Sequence, residues 1–157
     1  KALSDKPFLE HLQIDYMVES SWAALADSAR GGGGWPCLTF LGLRADFTGA
    51  LNDAACQPIA DVLACAPSLR RLELRSSFPT ISKFSAAGGI ALWSALGQLS
   101  QLETLHLGTC EIEDVEALSD ALANMSSLES LHINLKNRTG KALHSFKMRI
   151  PRTTVYT

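Results

Sequence analysis

Two histidines, three arginines, a glutamate, an asparagine and a phenylalanine sit beside recurring pairs of apolar residues, and they are the side chains of this chain best placed to do chemistry. His106 lies between Leu105 and Leu107, His132 between Leu131 and Ile133, and Glu73 between Leu72 and Leu74. In a strand such a residue points to the face opposite its neighbours. If these segments pair in register, the three groups fall in one row with Gln13 and Gly42. Adjacent strands lie about 4.8 Å apart, and His-His-Glu is a legitimate zinc ligand list. An open flat sheet supplies poor tetrahedral geometry, however, so neither a metal nor another cofactor is expected. The same spacing puts Phe40 and Arg71 in a row with His11, Thr104 and Ser130. It puts Arg44, Arg75 and Asn134 in a row with Asp15 and Gly108. Guanidinium forks match carboxylates, and exposed aromatics mark interfaces. The expected protein-binding residues are therefore Phe40, Arg44, Arg71, Glu73, Arg75, His106, His132 and Asn134. The plainer alternative is surface pairing of the arginines with Asp15, Glu73 or Asp46, which stabilises little.

Other chemistries find little support. No G-x-S-x-G elbow occurs, no cysteine has an obvious histidine partner, and His144 lies in a basic tail. The run Gly31–Gly34 follows a helical stretch and precedes a strand, the reverse of a phosphate-binding loop, with no Lys-Ser/Thr after it. Glu111, Glu113, Asp114 and Glu116 crowd a predicted helix start, where the helix dipole favours negative charge. No D-x-D-x-D-G calcium frame is present. Cys37, Cys56, Cys65 and Cys110 show neither C-x-x-C spacing nor a staple pattern. Buried free thiols are expected, and with them a reducing, cytoplasmic setting. The triplets Asn124-Met-Ser126 and Asn137-Arg-Thr139 would matter only in a secreted protein.

The elements that must position these residues are legible from leucines. LETLHL at 102–107 is followed by Cys110, Ile112 and a helical run, and PFLEHLQI (7–14), PCLTFLGL (36–43), PSLRRLEL (67–74) and SSLESLHI (126–133) repeat its core. Strands are predicted at 11–15, 40–44, 71–75, 104–108 and 130–134. Helices are predicted at 19–30, 53–64, 86–96 and 114–124, with Pro58 allowing a later start near Gln57. Trp22, Ala23, Leu25, Ala26 and Ala29 form an apolar stripe on the first, as do Ile90, Trp93, Leu96 and Leu99 on the third. Lys141 to Met148 could form a last short helix before Pro151. The equivalent leucines, Leu9, Leu38, Leu69, Leu102 and Leu128, are 29, 31, 33 and 26 residues apart. Each interval holds a strand and a helix.

On these segments the chain resembles the ribonuclease-inhibitor-like class of leucine-rich repeats, over residues 7 to 135. The resemblance implies an α/β solenoid with a parallel β-sheet on the concave face and α-helices on the convex face. It implies a leucine-rich-repeat domain of about five repeats over 1–135, followed by a basic cap or tail over 136–157. One departure is visible: only Cys110 fills the Asn/Cys ladder position, the equivalent places holding Met17, Asp46, Ser77 and Lys136.

Composition sets the remaining bounds. The 157 residues are 46% hydrophobic and 19% charged, as in an ordered chain able to bury a core. No apolar run approaches the roughly 20 residues of a membrane helix, and the first residues lack the pattern of a secretory leader. Net charge is −2, which favours neither nucleic acid nor membrane. Residues 1–135 hold all 16 acidic side chains against 8 basic ones, whereas 136–157 hold 6 basic and none acidic. That tail has too few aromatics to stack bases. The expected function is a non-enzymatic protein–protein interaction module that binds a protein on its concave strand face. The alternative is the repeat segment of a larger effector, immune sensor or ubiquitin ligase adaptor whose activity lies elsewhere.

Overall fold

The structure is a computed structural model and describes residues 6, 8–46, 51–77, 81–136 and 154–156. In chain order the elements are β1 His11–Met17, α1 Glu19–Gly31, β2 Phe40–Ala45, α2 Asp53–Ala64, β3 Arg71–Ser76, β4 Ser82–Phe84, α3 Ala86–Leu96, β5 Thr104–Ile112, α4 Val115–Ala123, β6 Ser130–Leu135 and β7 Thr154–Tyr156. The strands form one sheet in the order β1-β2-β3-β5-β6-β7, every pair parallel, with β4 also paired to β5. Strand order follows chain order, and crossovers of one hand then put every helix on the same side. Consecutive helices pack on one another, α1 on α2, α2 on α3 and α3 on α4.

The core lies between sheet and helices. Leu41, Leu43, Leu72, Leu74, Leu105, Leu107, Leu131 and Ile133 point into it from the strands, as period-2 alternation requires. Leu38, Leu69, Leu102 and Leu128 enter from the turn before each strand and are likewise buried. Trp35, which no sequence period marks, is fully buried beside them, and its amide donates to the Cys65 carbonyl at 2.7 Å. Gly34, at φ +85°, sets up that contact, since a Cβ there would stand 2.9 Å from the Cys65 oxygen.

Side-chain caps fix three helix starts. Asn52 Oδ1 accepts from the Ala54 amide, Ser85 Oγ from Gly88 and Asp114 Oδ1 from Ala117. The Asn52 cap starts α2 at Asp53, before Pro58, so the later start near Gln57 does not occur. On α1, Trp22, Leu25, Ala26 and Ala29 are buried but Ala23 is not; on α3, Ile90 is 62% exposed. Neither β4 nor β7 was expected from the sequence, and β5 extends to Ile112, four residues past its expected end. The proposed helix at 141–148 lies outside the described residues. No helix among the described residues is long and apolar enough to cross a membrane.

Candidate functional site: the open face of the sheet

Parallel pairing aligns the outward residues into rows. His11, Phe40, Arg71, Thr104, Ser130 and Thr154 are register partners from strand to strand. A second row runs Gln13, Gly42, Glu73, His106 and His132, and the backbone of Tyr156 is in register with His132. The expected third row is broken. Arg44 pairs with Arg75, but Asn134 aligns with Thr109 rather than with Gly108. Gly108, at φ +65°, is the cause: the register shifts between His106 and Gly108, and alternation resumes one residue late. A second irregularity between Ile14 and Met17 leaves Asp15 without a ladder partner in β2.

The arginines are tied down by the sheet's own carboxylates. Glu73, whose side chain is 14% exposed, pairs with Arg71 through one oxygen and Arg75 through the other. Burial opposes ionisation of Glu73, but the Arg71 hydrogen bond and the charges of Arg75 and Arg71 outweigh it and hold the carboxyl below its usual range. Arg44 stands 3.6 Å from Asp15. The surface-pairing alternative therefore applies to Asp15 and Glu73, although one carboxylate facing two guanidinium groups leaves a positive excess. The buried Nε of Arg75 has no hydrogen-bond partner.

Phe40 lies over the sheet instead of standing free. Its ring stacks on His11 at 4.0 Å and 14°, and the Arg71 guanidinium sits 5.6 Å from its centroid. Gly42 makes the room, since a Cβ there would come within 3.1 Å of the ring. His106 and His132 stack at 5.1 Å and 18°. Burial first, then the charges of Arg75 and His132, push the His106 pKa down to about 4, so that it is neutral at physiological pH. Stacked imidazoles hold their nitrogens in parallel planes, not aimed at one point, and among the described residues no group of three or more potential ligands could hold a metal. Ser130 Oγ lies 3.1 Å from His132 Nε2, and Asn134 Nδ2 lies 3.5 Å from Thr109 Oγ1. Tyr16, an exposed aromatic at the edge of this face, was not singled out from the sequence; only its backbone marks it, at φ +62°.

Elsewhere, a groove of about 580 Å³ opens between the start of α2 and the ends of β4 and β5. Its carboxylates are engaged. Asp53 accepts from the Ser85 amide and hydroxyl, Glu113 from the Ala86 amide, and Glu111 pairs with Lys83. Only Asp114 of the expected acidic cluster caps its own helix directly; Glu113 serves α3 instead. All four cysteines are free, and burial pushes the Cys56 and Cys110 thiols up to about 12.

The architecture is that of an α/β protein with a parallel sheet backed by helices. No protein-family model matches the chain, and no characterised protein matches it by sequence. Among solved structures it is similar to a tropomodulin C-terminal domain of Caenorhabditis elegans, with a TM-score of 0.61 and 13% identity over 96% of this chain and 87% of that one. It is similar also to the actin-binding site 2 of leiomodin-1, with a TM-score of 0.60 and 13% identity over 94% and 82%. These likenesses concern the fold. They correct the resemblance read from the leucine motifs: the neighbours are tropomodulin and leiomodin domains, and the chain is not assigned to the ribonuclease-inhibitor-like leucine-rich repeats. A six-residue leucine motif reports two inward residues on a strand and one in the turn before it. Any parallel strand covered by a helix has those requirements, and the ladder of asparagines or cysteines that is more distinctive has one member here.

Proposed function

We propose that this chain is a non-enzymatic protein-binding module, with its strand–helix units stacked as a solenoid and its partner engaged on the concave sheet face. The observation that carries the reading is the Arg71–Glu73–Arg75 arrangement beside Phe40 and His11. It is pre-positioned by pairing and stacking, rich in donors and in positive excess, so it suits a partner surface bearing carboxylates. Arg44, His106, His132 and Asn134 extend the patch along the neighbouring strands. Residues 1–135 would form the binding domain and 136–157 a basic cap or tail, from which β7 adds a strand beside β6.

Actin is the first partner to test, because one of the structural neighbours is an actin-binding site. The experiment is co-sedimentation with filamentous actin, and in parallel a pull-down from lysate, using wild type and an Arg44→Glu, Arg71→Glu, Arg75→Glu variant shown by circular dichroism to be folded. Binding by wild type that the variant loses supports the reading. Equal binding by both removes the sheet face from consideration, and failure of actin alone removes only that partner.

A further inference from the structure

The arginines of β2 and β3 are not equally served by their carboxylates. Arg44 and Arg75 are register partners on adjacent strands, a placement in which like charges repel. Arg71 and Arg75 share Glu73, each at 2.5 Å. Arg44 fares worse, since its Nε stands 3.6 Å from Asp15 Oδ1, too far for a hydrogen bond. The other oxygen of Asp15 accepts from Gln13 Nε2 at 3.2 Å, and the irregularity in β1 leaves Asp15 outside the ladder. Three guanidinium groups thus face two carboxylates, one of them loosely placed.

Among these side chains lies a recess of about 20 Å³, lined by Gln13, Asp15, Gly42, Arg44, Glu73 and Arg75, all from β1, β2 and β3. Gly42 contributes no side chain to it; a Cβ there would stand 3.1 Å from the Phe40 ring and 3.5 Å from Gln13 Cγ. The buried Nε of Arg75 has no acceptor among the described residues. A buried donor without an acceptor is costly and uncommon, and an acceptor seated in the recess would satisfy it.

Size and charge select that acceptor. The recess has room for one oxygen, since a single water needs about 10–15 Å³. Glu73 and Asp15 on its walls repel a dianion more strongly than a monoanion, which favours a carboxylate over a phosphate. A planar carboxylate also matches the guanidinium fork.

We propose that this recess seats one carboxylate from an acidic peptide segment of the partner, whose oxygen accepts from Arg75 Nε and whose charge displaces Asp15 from Arg44. Asp15 is then an internal competitor, held loosely enough to yield. The proposal rests on the reading of the sheet face as the protein-binding surface, and adds to it the chemistry of the contact and a residue that opposes it.

Titration of the full chain with a hexaglutamate peptide at low salt tests it, followed by NMR of the arginine Nε–H groups and by fluorescence anisotropy of the labelled peptide. The Arg75 Nε–H resonance should move downfield and saturate with the anisotropy. Asp15→Asn removes the competitor and should tighten binding about twofold to fivefold. Arg75→Lys keeps a charge beside Glu73 but loses the Nε donor, and should weaken binding at least about tenfold. Gly42→Ala leaves every charge in place while filling the recess, and should weaken it similarly. Inorganic phosphate at equal concentration should move the Arg75 resonance less than the peptide does. Peptide binding that Arg75→Lys and Gly42→Ala leave intact overturns the seat while sparing the sheet face as a binding surface. An Arg75 resonance that never moves, weaker binding by Asp15→Asn, or a stronger response to phosphate also overturns it. Actin co-sedimentation reads the whole face, so it separates failure of this seat from failure of the face.

Discussion

His106 and Glu73 show how one row of side chains couples charge to stability. The His106 pKa falls from 6.5 to about 4 on folding, so between those values the unfolded chain binds a proton that the native one does not. Stability should then decline as pH drops from 6.5 and level off below about 4. Urea titrations across that range should show a shallower pH slope for His106→Gln than for wild type. Glu73 acts in the same direction at lower pH: its folded pKa is lowered, so its contribution is present above the unfolded carboxylate range and is lost as pH falls through the folded value. Glu73→Gln should cost about 1–3 kcal/mol near neutrality, because Arg71 and Arg75 lose the carboxylate they share. A midpoint unchanged in chemical denaturation would show that the pairs are surface decoration. That the eight expected residues share the open face of the sheet was legible because alternation fixes which side of a strand a residue faces. What they touch was not: stacking of Phe40 on His11 and sharing of Glu73 depend on strands 29 residues or more apart, or on rotamers.

Between elements, Asp53 and Gly108 matter more than their local sequence suggests. Asp53 opens α2 but accepts hydrogen bonds from Ser85, the N-cap of α3, and so ties two helices together. Asp53→Ala should destabilise by about 1–2 kcal/mol, more than loss of a first-turn acidic residue alone. Comparison with Glu116→Ala, whose carboxylate sits in the first turn of α4, separates the two effects. Gly88 leaves space for this bridge, since a Cβ there would overlap the Asp53 carboxylate. Gly108→Val would force a β-branched residue into φ +65°, costing roughly 1–2 kcal/mol, and the chemical shifts of Thr109 and Asn134 should move with the lost bulge. The helices were readable within a residue or so from apolar period and caps. β4 and β7 were not, because three-residue strands carry no periodicity and exist only through their partners.

At the scale of the whole molecule, stability should grade from the edge of the sheet to its middle. Each unit packs on its neighbours, so a cavity in a central strand removes contacts on two sides and one at the β1 edge on fewer. Leu72→Ala, fully buried in β3, should cost about 2–5 kcal/mol, and Leu12→Ala in β1 clearly less. Equal losses would mean that the units do not behave as a row of neighbours. Trp35→Ala should fall near the upper end, about 3–5 kcal/mol, because its side chain is fully buried in the core.

From the sequence alone came the alternation of strands and helices, the faces of the strands, and hence a parallel sheet with helices against it. These follow from local periods of two and 3.6 residues, which the chain must satisfy before any long-range contact forms. The leucine motif did not identify a family, since it records burial of a strand and its turn, a demand common to many folds. Tertiary structure decided the rest: the bulge that moves Asn134 opposite Thr109, the neutral stacked histidines, the second role of Asp53, and the positive φ of Tyr16. Each depends on which strand lies beside which and at what offset, and pairing partners far apart in a chain leave no local period by which to read them.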